Sequence, residues 1–179
     1  MPLSFLHLYD IMFKIVFGGS ENMNLEQICA LNRNRINIFI REHWFTTIMI
    51  IRGKEVDMTN VEGYFVTEHD EIVGLITYIL YDNTLEIISL DSLREKCGIG
   101  TLLVNKVISV AKDAGCKRIV LITTNDNLNA MGFYQKRGFD MSRLYRNALD
   151  ISRKMKPEIP LLGENDIPLK HEIEFEMVL

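Results

Sequence analysis

Residues 94–101 read Arg-Glu-Lys-Cys-Gly-Ile-Gly-Thr, and an apolar helical pattern begins directly after them. Two glycines at a helix start cost conformational entropy, so their presence asks for a gain elsewhere. A bare helix N-terminus can supply it. Its first N–H groups lack partners and carry a partial positive charge, which suits a phosphate-type anion. Gly98 and Gly100 would let such an anion reach the main chain, and Thr101 can cap the helix or donate a hydroxyl. The same residues also fit a tight loop that binds nothing, and the glycine pair alone leaves both readings open. Two rival phosphate motifs do not fit. A P-loop needs Gly-Lys and then Ser or Thr, whereas Gly100 is followed by Thr101 and Leu102. A dinucleotide fingerprint needs a third glycine where Leu103 stands, and a strand–helix–strand opening where this chain has strand after strand.

A second polar cluster, Thr-Thr-Asn-Asp-Asn at 123–127, precedes a helical run that carries Tyr134 and closes at Gly138-Phe139. Periodicity predicts the elements that must hold both clusters. Residues 24–31 read as a short strand. Residues 32–45 read as a helix with Ile36, Phe39, Ile40 and Trp44 on one stripe and Asn32 or Asn34 as its cap. The β-branched run 46–53 reads as a strand stopped by Gly53 and followed by a polar loop. Runs at 63–68, 71–81 and 84–90 are separated by His69-Asp70 and Asp82-Asn83, which predicts an antiparallel meander. The period then changes. Leu103, Val104, Val107, Ile108 and Ala111 mark a helix over 100–114, ended by Gly115. Residues 117–125 form an unbroken apolar run, as in a strand buried on both faces. A helix over 126–138 follows, with Lys136 and Arg137 suiting the dipole of its last turn. Residues 139–145 read as a strand and 146–160 as irregular or helical. At 171–179, Glu172, Glu174 and Glu176 alternate with Ile173, Phe175 and Met177, the pattern of a half-exposed final strand. The sum is an α/β (α+β) domain with a mixed sheet, spanning 23–179.

Taken together, the two clusters resemble the paired motifs of the GNAT superfamily, the acetyl-coenzyme A-dependent N-acetyltransferases. That family's pyrophosphate loop usually reads Gln/Arg-x-x-Gly-x-Gly/Ala, and here the loop is Glu95-Lys96-Cys97-Gly98-Ile99-Gly100. Its later motif, Asn-x-x-Ala-x-x-x-Tyr-x-x-x-Gly-Phe, is met by Asn127, Ala130, Tyr134, Gly138 and Phe139. The resemblance runs over residues 24 to 145 in element order. It implies a mixed, mostly antiparallel central sheet flanked by helices, acetyl-CoA as cosubstrate, no metal, and direct transfer of the acetyl group to a primary amine of a small molecule or protein. It further implies that the main chain near Leu90 meets the pantetheine arm and that Lys96, Cys97, Gly98, Ile99, Gly100 and Thr101 hold the diphosphate. Asn127 would contact the cofactor, and Tyr134 would protonate the departing thiolate; the alternative for Tyr134 is a packed helix aromatic. Glu95 departs from the family's Gln or Arg. An acid beside a diphosphate is electrostatically unfavourable, so Glu95 is expected to face solvent while Arg94 or Lys96 supplies the cation. The amine must also lose a proton, since a lysine-type amine has a pKa near ~10.4. Glu86 is the candidate base, directly or through water, against the alternative of a solvent-facing charge on an alternating strand. His69 reads as a turn residue at the surface and Trp44 as packing. Cys97 has no activating partner nearby and reads as a small neighbour of the cofactor.

Length, charge and cysteine usage bound the rest. A chain of 179 residues suits one well-buried domain, and a net charge of −4 leaves no electrostatic footprint for nucleic acid or an anionic membrane. Cys29, Cys97 and Cys116 are odd in number and far apart, which argues for a reducing compartment and against a disulfide framework or a zinc site. In residues 1–22, Asp10 and Lys14 interrupt the apolar run, with no basic cluster before it and no small-residue cleavage pattern after it. The segment is expected to be an N-terminal extension, neither a signal peptide nor a membrane span, and the protein is expected to be cytoplasmic. The tail from Ser152 onward resembles those of a bacterial GNAT subgroup whose substrates are mostly undefined. Its loop at 157–168 either walls the acceptor site or covers a sheet edge. An exposed final strand could also pair with a second copy to give a homodimer. Two other classes stay open: a non-catalytic acyl-CoA-binding regulatory module, and a structural α/β protein without a nucleotide ligand.

Overall fold

Strand runs that carry apolar side chains on both faces need cover on both sides. The computed structural model describes residues 23–94 and 96–179 and provides that cover; the expectations for residues 1–22 and for Glu95 lie outside the described residues. The chain runs through β1 (Met23–Gln27), α1 (Arg33–Trp44), β2 (Ile48–Ile51), β3 (Lys54–Asp57), β4 (Glu62–Glu68), β5 (Glu71–Tyr81) and β6 (Thr84–Ser92). It continues through α2 (Ile99–Asp113), β7 (Arg118–Thr124), α3 (Leu128–Gln135), β8 (Asp140–Tyr145), α4 (Ala148–Met155) and β9 (Glu172–Val178). Seven strands form one sheet in the order β1-β4-β5-β6-β7-β9-β8, and β2 and β3 form a separate hairpin. The β6–β7 pair is parallel, as a helical crossover through α2 requires, and the other pairs are antiparallel.

Alternate residues of each strand feed two cores. Val66, Ile76, Leu121 and Phe175 pack with Leu103, Val107 and Tyr134 of α2 and α3 on one face. Phe65, Leu75 and Ile88 pack with Ile36, Phe39 and Ile40 of α1 and with Ile51 and Met58 of the hairpin region on the other. The result is a single mixed α/β domain whose mostly antiparallel sheet is flanked by helices. Among the described residues, no helix is long and apolar enough to cross a membrane.

Two elements differ from expectation, and one left open is decided. The run 46–53 is not one strand before a polar loop. Arg52 and Gly53 both take left-handed backbone angles (φ 52° and 69°), the signature of a tight two-residue hairpin turn, and Lys54–Asp57 returns as β3. Residues 148–155, left between irregular and helical, form α4. The larger difference is the final strand. β9 lies between β7 and β8, so among the described residues the sheet's margins are β1 and β8, and Glu172 is only 2% exposed. The half-exposed strand and its pairing with a second copy are therefore corrected. The alternation itself holds, since Ile173, Phe175 and Met177 all pack against the α2–α3 core.

Candidate active site

The site begins where the sheet opens. β6 and β7 pair from Thr84↔Arg118 to Ile87↔Leu121 and no further. Beyond that, Ser89–Ser92 stays with β5 and Ile122–Thr124 stays with β9. A bulge drives the parting: Ile88 is an extra residue between the pairs Tyr78↔Ile87 and Thr77↔Ser89, and an inserted residue bends and twists its strand. Alternate main-chain N–H and C=O groups of the β6 segment, Leu90 among its residues, thus border a gap without a strand partner.

α2 starts at this gap. Gly98 is its N-cap residue in the left-handed region (φ 78°), no side chain among the described residues caps the helix, and no acidic residue sits in its first turn. The first intrahelical bond on this path is Leu102 N–H to the Gly98 carbonyl, 2.9 Å, so the N–H groups of Ile99, Gly100 and Thr101 have no intrahelical acceptor. A Cβ on Gly100 would come within 3.1 Å of Phe133 Cζ, and its next neighbour would be Ser92 of β6. Only glycine allows this approach of α2 to α3 without displacing the ring. Arg137 lies 3.4 Å over the Phe133 ring and donates both to the Phe133 carbonyl, 2.7 Å, and to Thr101 Oγ1. The cation at the start of α2 is therefore Arg137, which the sequence reading assigned only to the helix dipole. Arg94, one expected source, is paired with Glu68, while Lys96 and Cys97 are exposed, Lys96 in a left-handed turn position.

The second motif sits across the gap. Asn127 caps α3 by accepting the Ala130 N–H at 2.9 Å, which leaves its amide N–H₂ uncommitted to the cap. Tyr134 is 6% exposed, its ring held edge-on by Phe133 and Phe139 with centroids 5.2 and 5.6 Å away. Burial pushes its phenol well above the usual value; the charge of Asp91 adds to this and Arg137 opposes it. The buried hydroxyl thus lies within electrostatic reach of the end of β6 and of the cation at the start of α2.

Asp91 had no sequence expectation. Its Oδ2 accepts the indole N–H of Trp44 at 3.2 Å, so Trp44 is more than packing. Burial raises the Asp91 carboxyl, while the Trp44 bond and nearby His43 oppose the rise.

Glu86 is neither solvent-facing nor at the gap. It pairs with Val120, one residue before the sheet opens, and is 3% exposed. Arg52 Nη2 donates to both its oxygens at 2.6 and 2.7 Å, and Tyr81 Oη donates to Oε2 at 3.1 Å. Burial works against the charge of Arg52, but Glu86 outweighs it and the guanidinium is held above its usual value. Arg52 borders a polar basin of ≈ 510 Å³ shared with Tyr81, Arg118, Arg143, Tyr145 and Glu174. His69 is an exposed turn residue (φ 51°). The 157–168 loop is tied to the β7–α3 connection. Glu164 N–H donates to Asp126 Oδ2 at 2.8 Å, and Asn125 Nδ2 donates to the Pro168 carbonyl at 2.9 Å. No group of three or more His, Cys, Asp or Glu arranged to hold a metal occurs among the described residues.

A gap between parting strands, an uncapped helix start and a buried tyrosine form a constellation that can be compared with known proteins. The model of the Acetyltransferase (GNAT) family matches residues 32–139. The chain is 43% identical over 152 residues to the uncharacterized Bacillus subtilis (strain 168) protein YxbD, covering 84% of this chain and 96% of that protein. An IAA acetyltransferase from Bacillus cereus ATCC 14579 shares the fold with a TM-score of 0.67 at 18% identity, over 88% of this chain and 99% of that one. A GNAT family acetyltransferase from Elizabethkingia anophelis, solved with acetyl-CoA bound, does so with a TM-score of 0.62 at 23% identity, over 89% and 100%. With its fold and both motifs in agreement with these matches, the chain belongs to the GNAT family of acetyltransferases.

Proposed function

We propose that the protein transfers an acetyl group from acetyl-CoA to a primary amine by direct attack while both substrates are bound. The observation that carries this reading is the uncapped start of α2 beside the β6–β7 opening, with Arg137 bonded to Thr101 as its cation. This donor set fits a diphosphate. Among the described residues the N–H groups of Ile99, Gly100 and Thr101 are unspent, Gly98 and Gly100 keep side chains out of the way, and a guanidinium matches phosphate geometry. The fold shared with the Elizabethkingia anophelis enzyme, which was solved holding acetyl-CoA, supports the same choice. Bound acetyl-CoA supplies an activated carbonyl and a thiolate leaving group. The chain's own part is to orient. The main chain from Ile88 to Ser92 would align the pantetheine arm, and orientation of reactants is worth effective molarities of roughly 10⁵ M and above. Tyr134 would give its proton to the thiolate. Its raised pKa keeps it protonated at neutral pH, and the burial that raises the phenol raises a thiolate's proton affinity too. Glu86, with its oxygens engaged by Arg52 and Tyr81, is the weaker candidate for base.

Two measurements on the purified chain test this. Acetyl-CoA at a hundred times its Kd should stabilise the fold by about 2.7 kcal/mol, a rise in Tm of roughly 5–10 °C. Thiol release should then depend on added amine. Stabilisation without turnover across a broad amine panel would favour the non-catalytic acyl-CoA-binding module, and no stabilisation at all would end the nucleotide reading.

A further inference from the structure

We propose that Asp126 is a positioning residue for the acceptor: it latches the tip of the 157–168 loop at the open end of β7, and that loop is the gate through which the amine enters. This rests on the acetyl-transfer reading and adds a residue that acts on the amine only through the loop.

The loop is held unequally along its length. Its two ends are pinned several times. Arg153 of α4 donates to the carbonyls of Ile159 (3.1 Å), Pro160 (2.6 Å) and Leu169. Asn125 donates to the Pro168 carbonyl at 2.9 Å and accepts the N–H groups of Lys170 and His171 at 2.9 and 2.7 Å. The tip closes on itself, Gly163 N–H to the Ile167 carbonyl and Leu169 N–H to the Leu161 carbonyl, both 2.9 Å. Beyond the loop, residues 161–167 make one hydrogen bond among the described residues, Glu164 N–H to Asp126 Oδ2 at 2.8 Å. Leu161 and Leu162 are 74% and 53% exposed, so apolar burial adds little. A segment with pinned ends, one outer bond at its tip and little burial opens at low free energy.

Asp126 suits the latch. It stands two residues past the end of β7, where β6 has already parted from that strand, and just before Asn127, which caps α3. The tip seats closely against it: a Cβ on Gly163 would lie 1.9 Å from Asp126 Oδ2. Asp126 is 5% exposed, and its Oδ1 is buried with no partner among the described residues. A buried carboxylate with one donor is costly, and lifting the tip would let water reach Oδ1. Closure is therefore held by one bond and opposed by one desolvated oxygen, the balance that a gate requires.

The test uses the full chain with Asp126→Ala, Gly163→Ala, their double variant, and Asp126→Asn, whose amide oxygen can still accept the Glu164 N–H. Hydrogen exchange reads the loop without turnover. In wild type, the amides of 161–169 should exchange at least ~10-fold faster than those of β7, and Asp126→Ala and Gly163→Ala should each speed them a further ~10-fold. Asp126→Asn should be no faster than wild type. With the carboxylate gone, the atom left beside a Gly163 Cβ is the Cβ of residue 126, at 3.0 Å, so the double variant should be no faster than Asp126→Ala. With acetyl-CoA and n-butylamine or benzylamine, both disruptive variants should raise the amine KM ~10-fold while kcat and the KM for acetyl-CoA stay within about threefold, and Asp126→Asn should restore the amine KM. Loop amides as protected as β7 in wild type would make the loop a fixed wall and end the gate. Unchanged exchange in Asp126→Ala, or Asp126→Asn as fast as Asp126→Ala, would end the latch. Faster exchange with an unchanged amine KM, or with both KM values rising together, would end the acceptor role while leaving acetyl transfer intact. Should Asp126→Ala not fold, Gly163→Ala decides on the same readouts. A wild type that binds acetyl-CoA yet acetylates neither amine overturns the acetyl-transfer reading and the acceptor role with it.

Discussion

Replacing Arg52 by Met decides whether Glu86 serves stability or chemistry. The guanidinium makes two short bonds to Glu86, 2.6 and 2.7 Å, and lies 3.6 Å from Glu174. Without it, a carboxylate 3% exposed keeps a single donor, the Tyr81 hydroxyl. Removing one partner of a buried ion pair costs about 3–5 kcal/mol. The Arg52 side chain is 27% exposed, so water can reach part of the space it leaves, and about 2–3 kcal/mol is the better expectation. For a chain of this size that is a fall in Tm of roughly 4–12 °C. Glu86→Gln keeps an acceptor for Arg52 and should lose only about 1 kcal/mol, with kcat within several-fold of wild type. Arg52→Met combined with Glu86→Leu replaces the pair by apolar groups of similar size and should recover most of the loss, giving a coupling energy near ~2 kcal/mol. Urea unfolding of these four proteins and of Glu86→Leu alone, which completes the cycle, measures this at neutral pH, with thiol release as the parallel assay. If Arg52→Met costs under about 0.5 kcal/mol while Glu86→Gln loses ~100-fold in kcat, Glu86 is the base and the structural argument is wrong.

Other expected outcomes are equally direct. Gly98→Ala forces a side chain into the left-handed region at φ 78° and should weaken acetyl-CoA binding at least ~10-fold by calorimetry, at a folding cost of about 1 kcal/mol. Tyr134→Phe keeps the ring contacts with Phe133, Phe139 and Phe175 but loses the proton, so kcat should drop ~100-fold with Tm nearly unchanged. Burial holds Glu172 above its usual value, opposed by the Arg52 N–H bond and the Arg52 charge. The folded state therefore binds that proton more tightly than the unfolded one, and the benefit, whole below pH 4.5, is lost as pH rises through the folded value. Glu172→Gln keeps the acceptor for the Arg52 N–H without the charge. Thermal melts should find it level with wild type below that pH and a few degrees more stable at neutral pH.

What the sequence made legible is what neighbouring residues encode. The helices over 33–44 and 99–113 and the meander from 62 to 92 follow from periods set by residues a few places apart. The hairpin of β2 and β3 was hidden because Lys54–Asp57 carries one apolar residue, Val56, so no alternation announced it. The inner place of β9 was hidden because strand order is not local: β8 closes the sheet outside it although β8 comes earlier in the chain. The site divides in the same way. Gly98, Gly100, Asn127 and Tyr134 stand in contiguous motifs. The Arg137–Thr101 and Trp44–Asp91 contacts span 36 and 47 residues, and no spacing rule reaches so far.

The bulge at Ile88 explains why Asp91 escaped notice. In an unbroken strand, residues five apart point to opposite faces, so an alternation rule separates Glu86 from Asp91. One inserted residue reverses that. Glu86 opposes Ile79 and Asp91 opposes Leu75, and both partners belong to the core beneath α1 and the hairpin. The two carboxylates therefore share a face: Arg52 of the hairpin takes one, and Trp44 of α1 takes the other. The same insertion bends β6 away from β7 beyond Ile87, so only the second carboxylate reaches the opening. A single extra residue thus parts the strands, exposes the β6 main chain to the gap and turns Asp91 towards Trp44. Deleting Ile88 should undo all three at once, leaving a continuous β6–β7 pairing that no longer binds acetyl-CoA, which calorimetry would show.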